Sequence, residues 1–216
     1  MKYYINRQEE YSRGYLLLRF FLGGIYIGVP HFFLLFFLTI GQGFVNFING
    51  WIILFTGKYA VWAWNYNVKM MRYWMRVSAA FANLTDVYPA FGLGGSHPEM
   101  DFDIAYQEKQ SRGTFLLRLF FGGLMLIPHY LILFFFLLPA AGTIGSAIGW
   151  IILFTGKYPK AIFNFVVTTQ RWYTRVQCWS TFLTPDYPKF DGEILEGENQ
   201  ATEESSVVEQ PVIETI

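Results

Sequence analysis

The chain has 216 residues, 53% of them hydrophobic, with 23 Phe, 14 Tyr and 7 Trp, and its formal net charge is zero. A soluble domain of this size needs a more polar surface, so the composition excludes an ordinary water-soluble globule and points to a helical membrane protein. The zero charge hides an asymmetry. Eight of the 16 acids lie from Asp191 onward, where there is no Lys or Arg, so the other eight stand against all 16 bases, a basic body of net +8 with an acidic tail.

A basic body whose charges sit beside apolar helices suits anionic headgroups, and nucleic acid is not expected as a partner. The single Cys178 excludes an intrachain disulfide framework. Residues 1–14 carry Lys2, Arg7, Glu9, Glu10 and Arg13 without an apolar core and a small-residue cleavage site, so they read as a cytoplasmic lead-in rather than a signal peptide.

The first repeat, residues 15–91, opens on an apolar segment from Tyr15 to Ile40, long enough to span a hydrocarbon core of about 30 Å with tilt. Arg19 is expected to anchor it at the headgroups, Gly23 and Gly24 to give a smooth helix contact, and Pro30 to kink it beside His31. Gly41-Gln42-Gly43 reads as the tip of a hairpin, and Phe44 to Phe55 as a short return arm that spans with local thinning or is re-entrant. Gly57 stops that arm and Lys58 anchors it. Beyond it, Lys69, Arg72 and Arg76 fall on one side of an aromatic-rich helix, the pattern of an amphipathic helix in the interface that binds lipid phosphate.

Residues 92–110 read as a linker, and the plan then recurs over residues 111–190. Trp51 to Tyr59 returns unchanged as Trp150 to Tyr158, an offset of 99 residues. Arg118, Gly122, Gly123, Lys157, Arg171 and Arg175 answer Arg19, Gly23, Gly24, Lys58, Arg72 and Arg76, while Pro128 and His129 answer Pro30 and His31 at an offset of 98. Similarity at a fixed period points to duplication. The expected fold is all-α and integral to the membrane: two parallel helical hairpins, four membrane helices in all, each hairpin followed by an interfacial helix. The tips, Gly41 to Asn49 and Pro139 to Ser146, carry no Lys or Arg, so the positive-inside rule places both termini in the cytoplasm. Residues 191–216, acidic and poor in aromatics, read as a disordered tail able to recruit a cytoplasmic partner.

The motifs Arg-Phe-Phe with Pro-His-Phe, Ile-Leu-Phe-Thr-Gly-Lys-Tyr, Arg-Trp-Tyr-Thr-Arg-Val (171–176) and Asp-Tyr-Pro-Lys-Phe (186–190) together resemble the bacterial membrane family called domain of unknown function 4389. The resemblance runs over about 12–91 and 111–190 as a tandem copy. It implies a multi-pass protein of the bacterial inner membrane and supplies no catalytic residue.

His31 and His129, with Pro30 and Pro128 beside them, are the sharpest candidates for intramembrane function, because an ionisable side chain at membrane depth is costly. Each imidazole is expected to bond a carbonyl freed by its proline. No cofactor is expected; a metal or haem held between the two imidazoles near the axis is the alternative. No Ser-His-Asp or Cys-His set can be assembled, and no Asp or Glu lies within an apolar segment, which disfavours a hydrolase or an ion-coupled transporter. The expected role is therefore a non-enzymatic scaffold or accessory subunit on anionic lipid, alone, as a homo-oligomer or in a larger membrane complex. A small channel or transporter formed between the hairpins or in an oligomer is the alternative, and a lipid-modifying enzyme a remoter one.

Overall fold

The computed structural model describes residues 1–139 and 145–191, with side chains described outside 136–146. Residues 140–144 of the expected second tip and the acidic tail beyond Asp191 lie outside the described residues. Ser12 caps α1 (Arg13–Gly23), its hydroxyl accepting from the Tyr15 N–H at 3.4 Å. A π-helical turn, Gly24–Gly28, leads straight into α2 (Val29–Thr56). Together they form one helix of 44 residues, Arg13–Thr56, about 66 Å long at 1.5 Å per residue.

No turn occurs at Gly41-Gln42-Gly43, so the expected first hairpin does not form there. The two glycines weaken a helix by roughly 1 kcal/mol each, but the first of them faces a neighbour. A Cβ on Gly41 would stand 2.9 Å from the Tyr66 hydroxyl, which donates to the Leu38 carbonyl at 2.7 Å, and the Gln42 amide donates to Asn67 Oδ1 at 2.7 Å. Gly41 is there for close approach. The chain reverses at Gly57 instead, in the left-handed region at φ 71°, with its N–H on the Ile53 carbonyl.

The return arm is α3 (Val61–Phe81), the helix that its basic stripe assigned to the membrane interface. Bonds from Ala60 N–H to Asn49 Oδ1, from Tyr66 to Leu38 and between Tyr73 and His31 run it antiparallel to α2. Most of its faces are covered, because Met70, Tyr73 and Val77 pack on Leu35 while Val68, Met71 and Met75 enter the main core.

The second half contains α4 (Arg112–Pro139), α5 (Gly145–Thr155) and α6 (Lys160–Ser180), with Gly156 at φ 72° before α6. Its contacts with the first half are exchanged at the 99-residue offset. Arg13 donates to the Phe154 carbonyl at 3.3 Å, and Arg112 to that of Phe55 at 2.8 Å. Tyr59 donates to the Thr181 carbonyl at 3.0 Å, and Tyr158 to that of Ala82 at 3.4 Å. Exchange of this kind is what a two-fold axis produces. It sets α1 antiparallel to α5, α2 antiparallel to α4 and α3 antiparallel to α6.

The offset of 98 at Pro-His has a local cause. The π-helical turn holds one residue more than the α-helical α4 does between its Gly pair and its proline.

The fold is not all-α. β1 (Lys2–Ile5) pairs antiparallel with β2 (Met100–Asp103), with Tyr3 opposite Phe102 and Ile5 opposite Met100. These four side chains are buried in the core with Trp64, Met71, Phe163 and Val167, each contributing on the order of 1.5–3 kcal/mol. Residues 92–110 are therefore part of the fold rather than a linker, and β2 is tied to α3 by Arg72, which donates to the Phe102 carbonyl at 2.7 Å. Among the described residues two helical stretches, Arg13–Thr56 and Arg112–Phe135, are long and apolar enough to cross a membrane, where four were expected.

The continuity of the first helix has a direct test. Gly43, with nothing within 4 Å of an added Cβ, gains about 1 kcal/mol of stability as Gly43→Ala, whereas Gly41→Ala gains nothing because the Tyr66 bond is displaced. Thermal unfolding in detergent reads the difference, and a hairpin tip at this position would give a loss for Gly43→Ala.

Candidate functional site with an apolar face and two histidine boxes

Each long helix touches the core along a narrow stripe, in the first case Leu16, Ile27, His31, Leu35, Asn49 and Ile53. The opposite stripe is Phe21, Ile25, Val29, Phe32, Phe36, Ile40, Phe44, Phe47, Trp51 and Phe55, spaced by three or four residues and all exposed, Phe21 at 74% and Phe55 at 71%. The second half shows the same face in Phe120, Leu124, Ile127, Leu131, Trp150 and Phe154. Residues 20–57 and 119–156 contain no Asp, Glu, Lys or Arg. Exposed apolar surface on this scale marks an interaction with lipid or protein.

The opposite side is charged. Lys69 is exposed on α3, and Arg72 makes ion pairs with Asp101 at 3.1 Å and Asp103 at 3.3 Å. Because α3 runs beside residues 31–49, these charges lie level with the middle of the first long helix.

The remaining arginines of the expected lipid site are buried. Arg76 donates to the carbonyls of Ala90, at 3.3 Å, and Gly92, at 2.6 Å. Arg171 lies over the Tyr3 ring and donates to the Tyr3 carbonyl at 3.4 Å; Arg175 holds the Asp191 carboxylate at 3.0 Å. They fasten the strand and the segments that follow α3 and α6, because a buried guanidinium must be satisfied by protein acceptors. Burial lowers the Arg76 pKa from its ordinary value.

Arg19 and Arg118 likewise turn inward rather than toward headgroups. Arg19 donates to the Thr85 carbonyl, and Arg118 donates to those of Thr184, at 2.7 Å, and Pro185 while lying over the Trp179 ring. Lys58 pairs with Glu108 at 2.6 Å, and Lys157 is exposed. Gly24 and Gly123 meet nothing within 4 Å, and Gly23 meets only Arg19 of its own helix. Of the two expected packing pairs, Gly122 alone has a partner helix, with Trp179 at 3.6 Å.

His31 and His129 sit in separate boxes, one in each half, and are not brought together. His31 is buried, stacked on Phe91 at 4.2 Å and 5°, with its Nδ1 2.8 Å from the Tyr73 hydroxyl. His129 is stacked on Phe190 at 3.9 Å and 7°, with its Nδ1 3.1 Å from Trp172 Nε1. Neither bonds a proline-freed carbonyl. Tyr88 and Tyr187 reach those stretches instead, donating to Tyr26 at 3.1 Å and Met125 at 2.6 Å.

Indole N–H only donates, so His129 Nδ1 carries a lone pair and its proton is on Nε2. Tyr73 donates or accepts, so His31 is not held to one tautomer. Nε2 of each histidine is buried without a hydrogen-bond partner. No cluster of three or more His, Cys, Asp or Glu with metal-holding geometry occurs among the described residues.

The sequence missed the roles of Phe91 and Phe190 and of Tyr88 and Tyr187. The signal was present in the recurring Tyr-Pro-x-Phe at 88–91 and 187–190. His97 accepts the Glu99 N–H at 3.0 Å and meets Thr85 Oγ1 at 3.3 Å, and burial holds its pKa below the usual range.

Residues 114–191 match the family described as a domain of unknown function (DUF4389). The resemblance read from the sequence is met there. The expected tandem copy is not, since the family matches once and residues 12–91 lie outside the match. No curated protein and no solved structure matches the chain.

A structural role for the buried arginines gives a measurable contrast. Arg76→Gln loses about 2–3 kcal/mol of stability, Lys69→Gln stays within about 0.5 kcal/mol, and neither changes flotation with phosphatidylglycerol vesicles while folded. A flotation loss in folded Arg76→Gln would return that residue to the lipid.

Proposed function

We propose that this is a non-enzymatic, membrane-embedded scaffold or accessory protein whose two long helices lie along the bilayer rather than across it. The observation that carries the reading is the position of α3 and β2. An upright helix crosses about 30 Å of hydrocarbon with some 20 residues, and its middle is the deepest part. In this fold the middle of the first helix has Lys69, Arg72, Asp101 and Asp103 beside it. Each charge at the bilayer centre costs at least about 2.5–3.5 kcal/mol.

Turning the apolar stripe toward lipid and the β-hairpin toward water removes that cost. Length supports the same placement, because tilting about 66 Å of helix into about 30 Å of hydrocarbon needs roughly 60°, beyond the range of about 0–40° found for crossing helices. The two halves are then a duplication with its axis along the membrane normal, consistent with contacts exchanged at one offset. A basic body and the family resemblance favour the cytoplasmic side of a bacterial inner membrane. Lys157 and Lys160, exposed near the helix ends, meet anionic headgroups, and the acidic tail recruits a cytoplasmic partner. A channel between the hairpins gains no support, because helices in the membrane plane line no path across it.

Spin labels at Phe21, Phe36, Phe47 and Phe55, one per variant, test the placement in reconstituted vesicles. Cys178 does not compete for label, since it is 1% exposed and burial pushes its thiol up to about 12. Oxygen and nickel accessibilities at one shallow depth are expected for all four positions; a depth profile peaking near Phe36 would sink the in-plane reading.

A further inference from the structure

A cavity of about 360 Å³ lies between α3 and α6, in the lower range of small-molecule sites. Its two walls are built from positions 99 residues apart, so it sits where the halves meet. The chemistry of the walls is not the same. Met71 faces the cavity from α3 and Gln170 from α6; Met75 is answered by Thr174, and Trp74 by Tyr173. Two apolar side chains of α3, Met71 and Met75, thus stand where α6 has hydrogen-bonding ones, while Trp74 and Tyr173, and Ser78 and Gln177, carry hydrogen-bonding groups on both walls, within a framework whose other contacts recur closely.

No charged side chain lines the cavity among the described residues. A phosphate or carboxylate would find no counter-charge there, so the occupant is neutral. It also needs one polar and one apolar edge. The Tyr3 hydroxyl donates to Gln170 Oε1 at 3.2 Å, which orients that amide and leaves its N–H₂ for a ligand carbonyl or hydroxyl. The methionines opposite are adaptable apolar packing. At the rim stands Thr39, exposed and next to Ile40 of the outward apolar stripe. The cavity therefore opens beside the surface assigned to lipid.

We propose that this cavity binds the uncharged, hydroxyl- or carbonyl-bearing head of a neutral lipid, its polar groups on Gln170 and Thr174 and its apolar edge against Met71 and Met75. The site rests on the membrane reading only for the source of its ligand. Two sources share this chemistry, a glyceride hydroxyl and a quinone carbonyl.

Native mass spectrometry of the full chain in neutral detergent tests it with dioctanoylglycerol, decylubiquinone and dioctanoyl phosphatidylglycerol. One neutral lipid per chain is expected, and which of the two is retained names the source. Retention falls at least tenfold in Gln170→Leu/Thr174→Val, which keeps side-chain size, and is lost in Met71→Trp, which fills the space. Melting temperature confirms that the variants fold. If they do not, competition in the wild type decides, because excess phosphatidylglycerol should not displace the neutral probe. Retention unchanged in folded variants, no neutral probe retained, or equal displacement by the anionic lipid would each overturn the site. Binding in detergent does not depend on helix depth, so a depth profile that refutes the in-plane placement leaves this result standing.

Discussion

The packing of α3 against residues 31–49 of the first long helix is the contact on which the rest depends. It places a charged helix beside the uncharged stretch 20–56 of that long helix and thereby divides the molecule into a charged side and an apolar side. The bonds that fix it are polar and specific: Tyr66 to Leu38, Gln42 to Asn67, and Tyr73 with His31. A purely apolar interface would let the two helices slide by a turn, since large apolar side chains recur at every turn of α2. Polar groups buried in such an interface tolerate no slip, because each would be left unpaired. Asn67, fully buried and bonded to Asn46, Tyr59 and the Ala63 carbonyl, sets the register near the Gly57 reversal in the same way.

The arginines complete the division. A helix that leaves most of its circumference exposed has little core of its own, and the segments after α3 and α6 have no regular structure to hold them. Arg19, Arg76, Arg118 and Arg175 bind the carbonyls of those segments, so irregular backbone is satisfied by side chains from the helices. Each guanidinium loses hydration and regains it as directed bonds to carbonyls. A lysine carries three donors on a flexible stem and cannot span two carbonyls in a plane.

Much of this was legible in the sequence, and the failures have definite causes. The Gly stops at 57 and 156 were readable because a glycine after an apolar helix, followed by Lys-Tyr, has few other uses; both stand at φ near 71°. Gly41-Gln42-Gly43 misled for the opposite reason. Glycine marks a turn and a close helix contact with the same letter, and only the Tyr66 hydroxyl, 25 residues away, distinguishes them. The spacing of Lys69, Arg72 and Arg76 gave one helical face correctly, but what covers that face is β2, whose acids come from more than 20 residues downstream. β2 itself, Met-Asp-Phe-Asp, alternates as a strand should, though four residues among glycines carry little signal. The histidine boxes were half visible: Pro-His stood out, while the stacking Phe91 and Phe190 lay across a loop that periodicity does not reach.

Where the two halves agree, they agree on architecture: the helix stops, the arginine bonds, and a phenylalanine flat on a histidine. Where they differ, the differences fall beside chemistry. The first half has a π-helical turn directly before Pro30 and His31, and the second has none. Tyr73 leaves His31 free to exchange tautomers, and Trp172 fixes His129 in one. In the cavity between α3 and α6, the first half has Met71 and Met75 where the second has the hydrogen-bonding Gln170 and Thr174. A frame needed only for packing would gain nothing from such divergence, because apolar and polar walls of equal size fill space equally well. A ligand with two unlike edges does gain from it, and a two-fold frame can offer unlike edges only by departing from its own symmetry at the axis.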